Sequence, residues 1–183
     1  DRMGLLQGTV EEAGRPILGS DINPLFLAKA KLGIYSDWSF RDTPPWLIQD
    51  YFEPAGQGRF AIIPRIRRAV RFITLNLVRD SYPDLATGTA GVDLILCRHV
   101  LMYFHKSVAD EVVRRLRLCL REGGCLIVGP AEVAHLDLSR FRPERIGEAV
   151  VHWNEPVPPA PAARTVLAPP PHEPTVQPMP WSG

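Results

Sequence analysis

Two apolar runs separated by one amphipathic stretch constrain this chain more than any other feature. "DLILC" (93–97) and "CLIVGP" (125–130) are short, nearly continuous in Leu, Ile and Val, and read as strands covered on both faces. Between them, "KSVADEVVRRLRLCLREGG" (106–124) sets Ala109, Val112, Val113, Leu116, Cys119 and Leu120 at helical spacing, with Gly123 as its stop. The same alternation runs through the rest of residues 1–153. "PILGSD" (16–21) predicts a strand, and "NPLFLAKAKLG" (23–33) a helix with Asn23 as N-cap, Pro24 in the first turn and Gly33 as terminator. "VRFITLNL" (70–77) and "AVVHW" (149–153) add further strands. Such an order implies an α/β fold with a doubly wound, Rossmann-like sheet.

In such sheets ligands sit beyond the carboxyl ends of the strands. Several chemistry-bearing residues fall on that edge. The run "DLILCRHVLMYF" (93–104) ends its strand at Arg98 and His99 and then brings Tyr103. Asp21 follows "ILGS", Asn76 follows "RFITL", and Glu132 follows "LIVGPA". A carboxylate at the end of the second strand can accept two hydroxyl hydrogen bonds from a ribose. Each residue also has a plainer reading: Asp21 as a helix-start residue shared with Asn23, Asn76 as a turn former, Glu132 as a surface residue. Arg98 could serve as a structural partner for Asp93 or Glu132, and Tyr103 could pack in the core beside Phe104. The endings converge on one edge, yet no reaction class follows from them alone.

Composition narrows the field. A chain of 183 residues suits one domain, and 21 Lys+Arg against 20 Asp+Glu gives no bulk attraction to nucleic acid or membrane. Cys97, Cys119 and Cys125 are odd in number, lack a CxxC spacing and sit in apolar contexts, as thiols of a reducing cytoplasm would; no metal site is expected. No apolar stretch reaches the ~18–20 residues of a membrane span, and the N-terminus does not read as a signal peptide. Residues 154–183 hold 10 of the 19 prolines and are expected to be an extended linker rather than folded structure. A recognition peptide is the other reading. A fused or tethered domain after the tail is an expectation, and the start at Asp1 points to a fragment.

Together "ILGSDINPLFLAKAKLGIYSDWSFRDTPPWL", "RIRRAVRFITLNL", "DLILCRHVLMYF" and "LREGGCLIVGPAE" resemble, in this order, the CheR-type chemoreceptor methyltransferases. The resemblance covers residues 16–153. It implies a class I methyltransferase domain that transfers methyl from S-adenosylmethionine to glutamate side chains of methyl-accepting chemoreceptors, leaving S-adenosylhomocysteine. It further implies that Asp21 holds the ribose, that Asn76 and Leu77 flank the adenine, and that Arg98 and His99 lie at the cofactor pocket. Arg98 and Tyr103 become the catalytic candidates, with Tyr103 near the methyl. His99 departs from the family pattern, which usually carries Asn; an imidazole cannot offer a donor and an acceptor as one amide group does.

The chemistry is compatible with those residues. A glutamate nucleophile has a reference pKa of ~4.3 and is already ionised at neutral pH, so no general base is required. The enzyme must align carboxylate oxygen, methyl carbon and sulfonium, a proximity effect that contributes on the order of 7–11 kcal/mol. Arg98 can orient a carboxylate through its rigid fork of donors, and Tyr103 offers a π face to a cation.

Two regions depart from a plain doubly wound sheet. Residues 34–72 contain Trp38, Phe40, Trp46, Tyr51 and Phe52, and "YFEPAGQGRFAII" reads as a hairpin turning at Gly56 and Gly58. The resemblance implies a small antiparallel β-subdomain here, whose aromatics either form their own core, the favoured reading, or dock a receptor peptide. The cluster Arg65, Arg67, Arg68 and Arg71 reads as a solvated helix face, or as a surface that steers acidic receptor helices. At the front, the family's first strand and glycine-rich loop have no counterpart in "DRMGLLQGTVEEAGRP"; residues 3–13 read instead as the tail of the first helix. Neighbouring strands would then have open edges, and cofactor binding and activity by this chain alone are expected to be impaired. The competing reading is a degenerate, non-catalytic scaffold; a third, a small-molecule methyltransferase, is disfavoured by the aromatic insert.

Overall fold

The computed structural model describes residues 17–155. The helix read over 3–13 and the proline-rich stretch after Glu155 lie outside the described residues.

The chain enters through β1 (Ile17–Asp21) and turns into α1 (Pro24–Leu32). Asn23 caps α1 by accepting the Leu25 N–H, and Gly33 closes it at φ 65°, a left-handed conformation that glycine adopts without steric cost. A small unit follows: β2 (Ile34–Ser36), a 3₁₀ turn (Asp37–Phe40), α2 (Pro45–Tyr51), β3 (Phe52–Pro54), β4 (Arg59–Ile62) and α3 (Pro64–Ala69). Its strands form an antiparallel sheet in the order β2-β4-β3, and the β3–β4 turn contains Gly56 and Gly58 at positive φ. Tyr35, Phe40, Phe52 and Phe60 meet edge to face at centroid distances of 4.8–6.2 Å and form a core for the unit. Trp38 and Trp46 remain 72% and 45% exposed. The strands of this unit end at Ile62, and Val70 already belongs to β5 (Val70–Thr74).

β5 pairs in parallel with β1, Gly19 facing Phe72. A Cβ on Gly19 would stand 2.7 Å from the Phe72 ring, which accounts for glycine inside a strand. The second half runs β6 (Val92–Cys97), a 3₁₀ turn (Leu101–Tyr103), α4 (Lys106–Cys119), β7 (Leu120–Val128), α5 (Pro130–Val133), β8 (Arg142–Ile146) and β9 (Ala149–Trp153). Its sheet has the order β6-β7-β9-β8, with β6 and β7 parallel and the other pairs antiparallel.

The core lies under α4. Ala109, Val112, Val113, Leu116 and Cys119 are all buried, together with Leu101, Leu126, Val128 and Phe141. α4 stops at Cys119 rather than at Gly123. Leu120 already pairs with Val92, and Gly123 and Gly124 form a bulge that exchanges backbone hydrogen bonds with Asn154.

The expectation of a strand covered on both faces fails for β6. Ile95 and Cys97 face the core, whereas Leu94 and Leu96, on the alternate face, are 47% and 65% exposed. Among the described residues β1 and β6 each pair along one edge only, so the parallel ladder is in two pieces. No helix among the described residues is long and apolar enough to cross a membrane.

Candidate functional site

Asp21 ends β1 and Asn76 follows β5, neighbouring strands of one sheet; Arg98 follows β6 and Glu132 follows β7, neighbouring strands of the other. All four stand at or just beyond the carboxyl ends of parallel strands.

Asp21 spends one oxygen locally: Oδ1 accepts the Asn23 N–H at 2.8 Å, and its backbone carbonyl accepts the Leu75 N–H at 3.1 Å. The helix-start reading is therefore correct as far as it goes, and Oδ2 has no partner among the described residues. Asn76 is a turn former as well. Its Oδ1 accepts the N–H groups of Val78 and Arg79, and its own N–H donates to Asp80 at 2.6 Å. Leu77 is half-buried against the core, and its carbonyl accepts the Tyr82 hydroxyl at 2.7 Å and Arg115 Nη1 at 3.0 Å.

Arg98 is exposed and has no hydrogen-bond or ion-pair partner among the described residues. The partnerships considered for it go elsewhere: Asp93 pairs with Arg121 at 2.5 Å, and Glu132 binds backbone N–H groups. Tyr103 is 79% exposed, which rules out packing beside Phe104. His99 adopts φ 59°, a left-handed conformation costly for a residue with a Cβ, by roughly 1–2 kcal/mol.

Glu132 reverses its surface reading. It is 1% exposed. Oε1 accepts N–H groups from Val100, Leu101 and Met102 at 2.9, 2.8 and 3.3 Å; Oε2 accepts those of His99 and Gly129 at 2.9 and 2.8 Å. Burial alone would raise its pKa, but these N–H bonds outweigh it and hold the carboxyl below the usual range. The sequence signal was only a glutamate three residues into the turn after a buried strand, since its ligands are main-chain groups that no side-chain pattern reveals.

Parallel strands, a crossover helix and a row of polar side chains at the strand ends define a Rossmann-like α/β domain. The comparisons with known proteins give the family. Residues 3–147 match the family described as CheR methyltransferase, SAM binding domain, and the chain belongs to it. It is 37% identical over 122 residues to Chemotaxis protein methyltransferase 1 of Pseudomonas aeruginosa, covering 66% of this chain and 43% of that protein. Identity to Chemotaxis protein methyltransferase Cher2 of Pseudomonas putida is 35% over 120 residues, 65% of this chain and 42% of the relative. A Vibrio anguillarum chemotaxis protein methyltransferase is 31% identical over 137 residues, 74% and 48% of the two chains. The chain thus spans less than half the length of each of these relatives.

Proposed function

We propose that this chain forms the S-adenosylmethionine-binding part of a protein-glutamate O-methyltransferase acting on chemoreceptors. Family membership supports the cofactor, and the names of the relatives support the chemotaxis setting. The observation that carries the assignment of residues is the set of polar groups at the strand ends without a partner among the described residues: Asp21 Oδ2, the Arg98 guanidinium and the exposed Tyr103. These donors and acceptors suit a ligand with ribose hydroxyls, a carboxylate and a sulfonium.

In this reading Asp21 accepts ribose hydroxyls through its open oxygen. The 76–77 turn, held by its own Asx bonds, offers an apolar Leu77 edge to the adenine. His99 contributes a single imidazole hydrogen bond where the family usually has an amide. Bound there, S-adenosylmethionine supplies an electrophilic methyl group. Arg98 orients the acceptor glutamate, and it must do so loosely, because the carboxylate loses its charge on becoming an ester. Tyr103 lines the path of the methyl with its ring and hydroxyl. The exposed Arg65, Arg67, Arg68 and Arg71 steer acidic receptor helices, a salt-sensitive attraction. The domain works at the cytoplasmic ends of receptors.

The test is incubation of the chain with methyl-labelled S-adenosylmethionine and a receptor cytoplasmic fragment. Label released as methanol by mild alkali, at a reduced rate as expected of a chain spanning less than half of its relatives, and lowered at least tenfold further by Arg98→Ala, is the expected result. Absence of alkali-labile label would overturn the assignment for this chain. One observation favours a second reading, a non-catalytic scaffold. His99 stands where the resemblance implies that the family usually has Asn, and S-adenosylhomocysteine binding separates the two.

A further inference from the structure

Glu132 has no role in the reading above, yet it is the most completely engaged side chain at the strand ends. Four consecutive N–H groups, from His99 to Met102, converge on its carboxylate, and Gly129 adds a fifth from the neighbouring strand end. A carboxylate offers about four lone-pair sites, so five donors leave no acceptor for cofactor or substrate. Glu132 therefore cannot be a base or a ligand contact. What it binds is the turn itself. Arg98 stands immediately before the four donors, and Tyr103 immediately after. Apart from Leu101, which is 2% exposed, this turn is mostly solvent-facing and has little apolar anchorage. The bond to Glu132 also engages the N–H of His99, the residue in the strained left-handed conformation.

We propose that Glu132 is a positioning residue. By gathering the 99–102 backbone into an anion-binding nest, it fixes the turn that aims Arg98, His99 and Tyr103. The proposal rests on the methyl-transfer reading of those three residues. A neutral side chain could not replace it: an amide would turn its NH₂ group toward N–H donors. Gly129 gives an independent handle. A Cβ there would lie 2.5 Å from Glu132 Oε2, so Gly129→Ala displaces the carboxylate without removing its charge.

The test combines residue-resolved amide exchange with calorimetric titration of S-adenosylhomocysteine, on the wild-type chain, Glu132→Gln and Gly129→Ala. In the wild type, the amides of residues 99–102 are expected to exchange as slowly as those of Leu126 and Val128. In both variants they are expected to exchange at least tenfold faster while Leu126 and Val128 hold their rates, and the Kd is expected to rise at least fivefold. Rapid wild-type exchange at 99–102 would overturn the proposal, even if neither variant folds. So would a variant whose loosened turn leaves the Kd unchanged, or whose exchange accelerates equally throughout the core. If the wild type binds no S-adenosylhomocysteine, the methyl-transfer reading itself fails, and the positioning role falls with it; wild-type binding that Glu132→Gln leaves intact sinks the positioning role alone.

Discussion

The guanidinium of Arg115 lies over the ring of Tyr82, 3.9 Å from its centroid. The same guanidinium donates to the carbonyls of Leu77, Val78 and Asp80, while the Tyr82 hydroxyl donates to Leu77. One α4 side chain thus pins the segment after β5, including the Asn76–Leu77 turn, to the half of the molecule that carries Arg98. Arg115→Ala is expected to cost about 2–3 kcal/mol, from charged hydrogen bonds and a partly desolvated cation–π contact. If the 76–77 turn flanks the adenine as proposed, the variant should also weaken S-adenosylhomocysteine binding. Urea unfolding and calorimetry on one variant read both effects; unchanged stability would mean the segment is held by its apolar contacts alone.

Gly124 sits in the β7 bulge. A Cβ there would stand 2.9, 3.0 and 3.1 Å from the carbonyl oxygens of Val92, Arg121 and Asp93, all main-chain atoms that can yield only by moving strands. Gly124→Ala is expected to destabilise by about 1–3 kcal/mol. A melting temperature lowered by several degrees checks this; an unchanged melt would contradict the tight β6–β7 approach.

Burial pushes the Cys97 thiol up to about 12, helped by the nearby Glu132 charge, and Cys119 up to about 11. Tyr82 is raised to about 12, chiefly by burial. Raised folded values stabilise fully below the unfolded values, ~8.5 for thiols and ~10 for tyrosine, and the benefit is lost as pH climbs through 11–12. Unfolding free energy should therefore fall steadily above about pH 8.5. Alkylation near pH 8 should reach the half-buried Cys125 first; equal labelling of all three would contradict the packing of Cys97 and Cys119.

His152 is 3% exposed, packs edge-on to Phe141 and has no partner for Nδ1 among the described residues. Burial lowers its pKa. A base lowered on folding stabilises fully above its unfolded value of ~6.5, and the contribution declines as pH falls below it. Stability should drop between pH 7 and 5, and His152→Phe should flatten that slope. Glu132 acts in a lower window: its lowered carboxyl stabilises above ~4.3 and is lost as pH falls further.

Much of the framework was legible because it is written in periodicity and caps. The α4 stripe, the Gly33 terminator and the Gly56–Gly58 hairpin all appear where the residues put them. The end of α4 was not, because Leu120 fits a helix stripe and a strand equally, and pairing with Val92 decides. β8, "RPERI", carries no apolar alternation. It is an edge strand whose Arg142 pairs with Glu144 and Glu155, so its ordering comes from β9 and ion pairs. The placement of Asp21, Asn76 and Arg98 at strand ends was legible. Their local duties, and the burial of Glu132, depend on main-chain donors that sequence patterns do not display.

The most direct measurement is calorimetric titration of the chain with S-adenosylhomocysteine, beside an Asp21→Ala variant. The expected result is saturable binding weakened at least tenfold by the substitution, through loss of the carboxylate proposed to accept the ribose hydroxyls at the end of β1. A chain shown to be folded that takes up no S-adenosylhomocysteine, or that binds it equally well without the Asp21 carboxylate, would contradict a cofactor site at these strand ends.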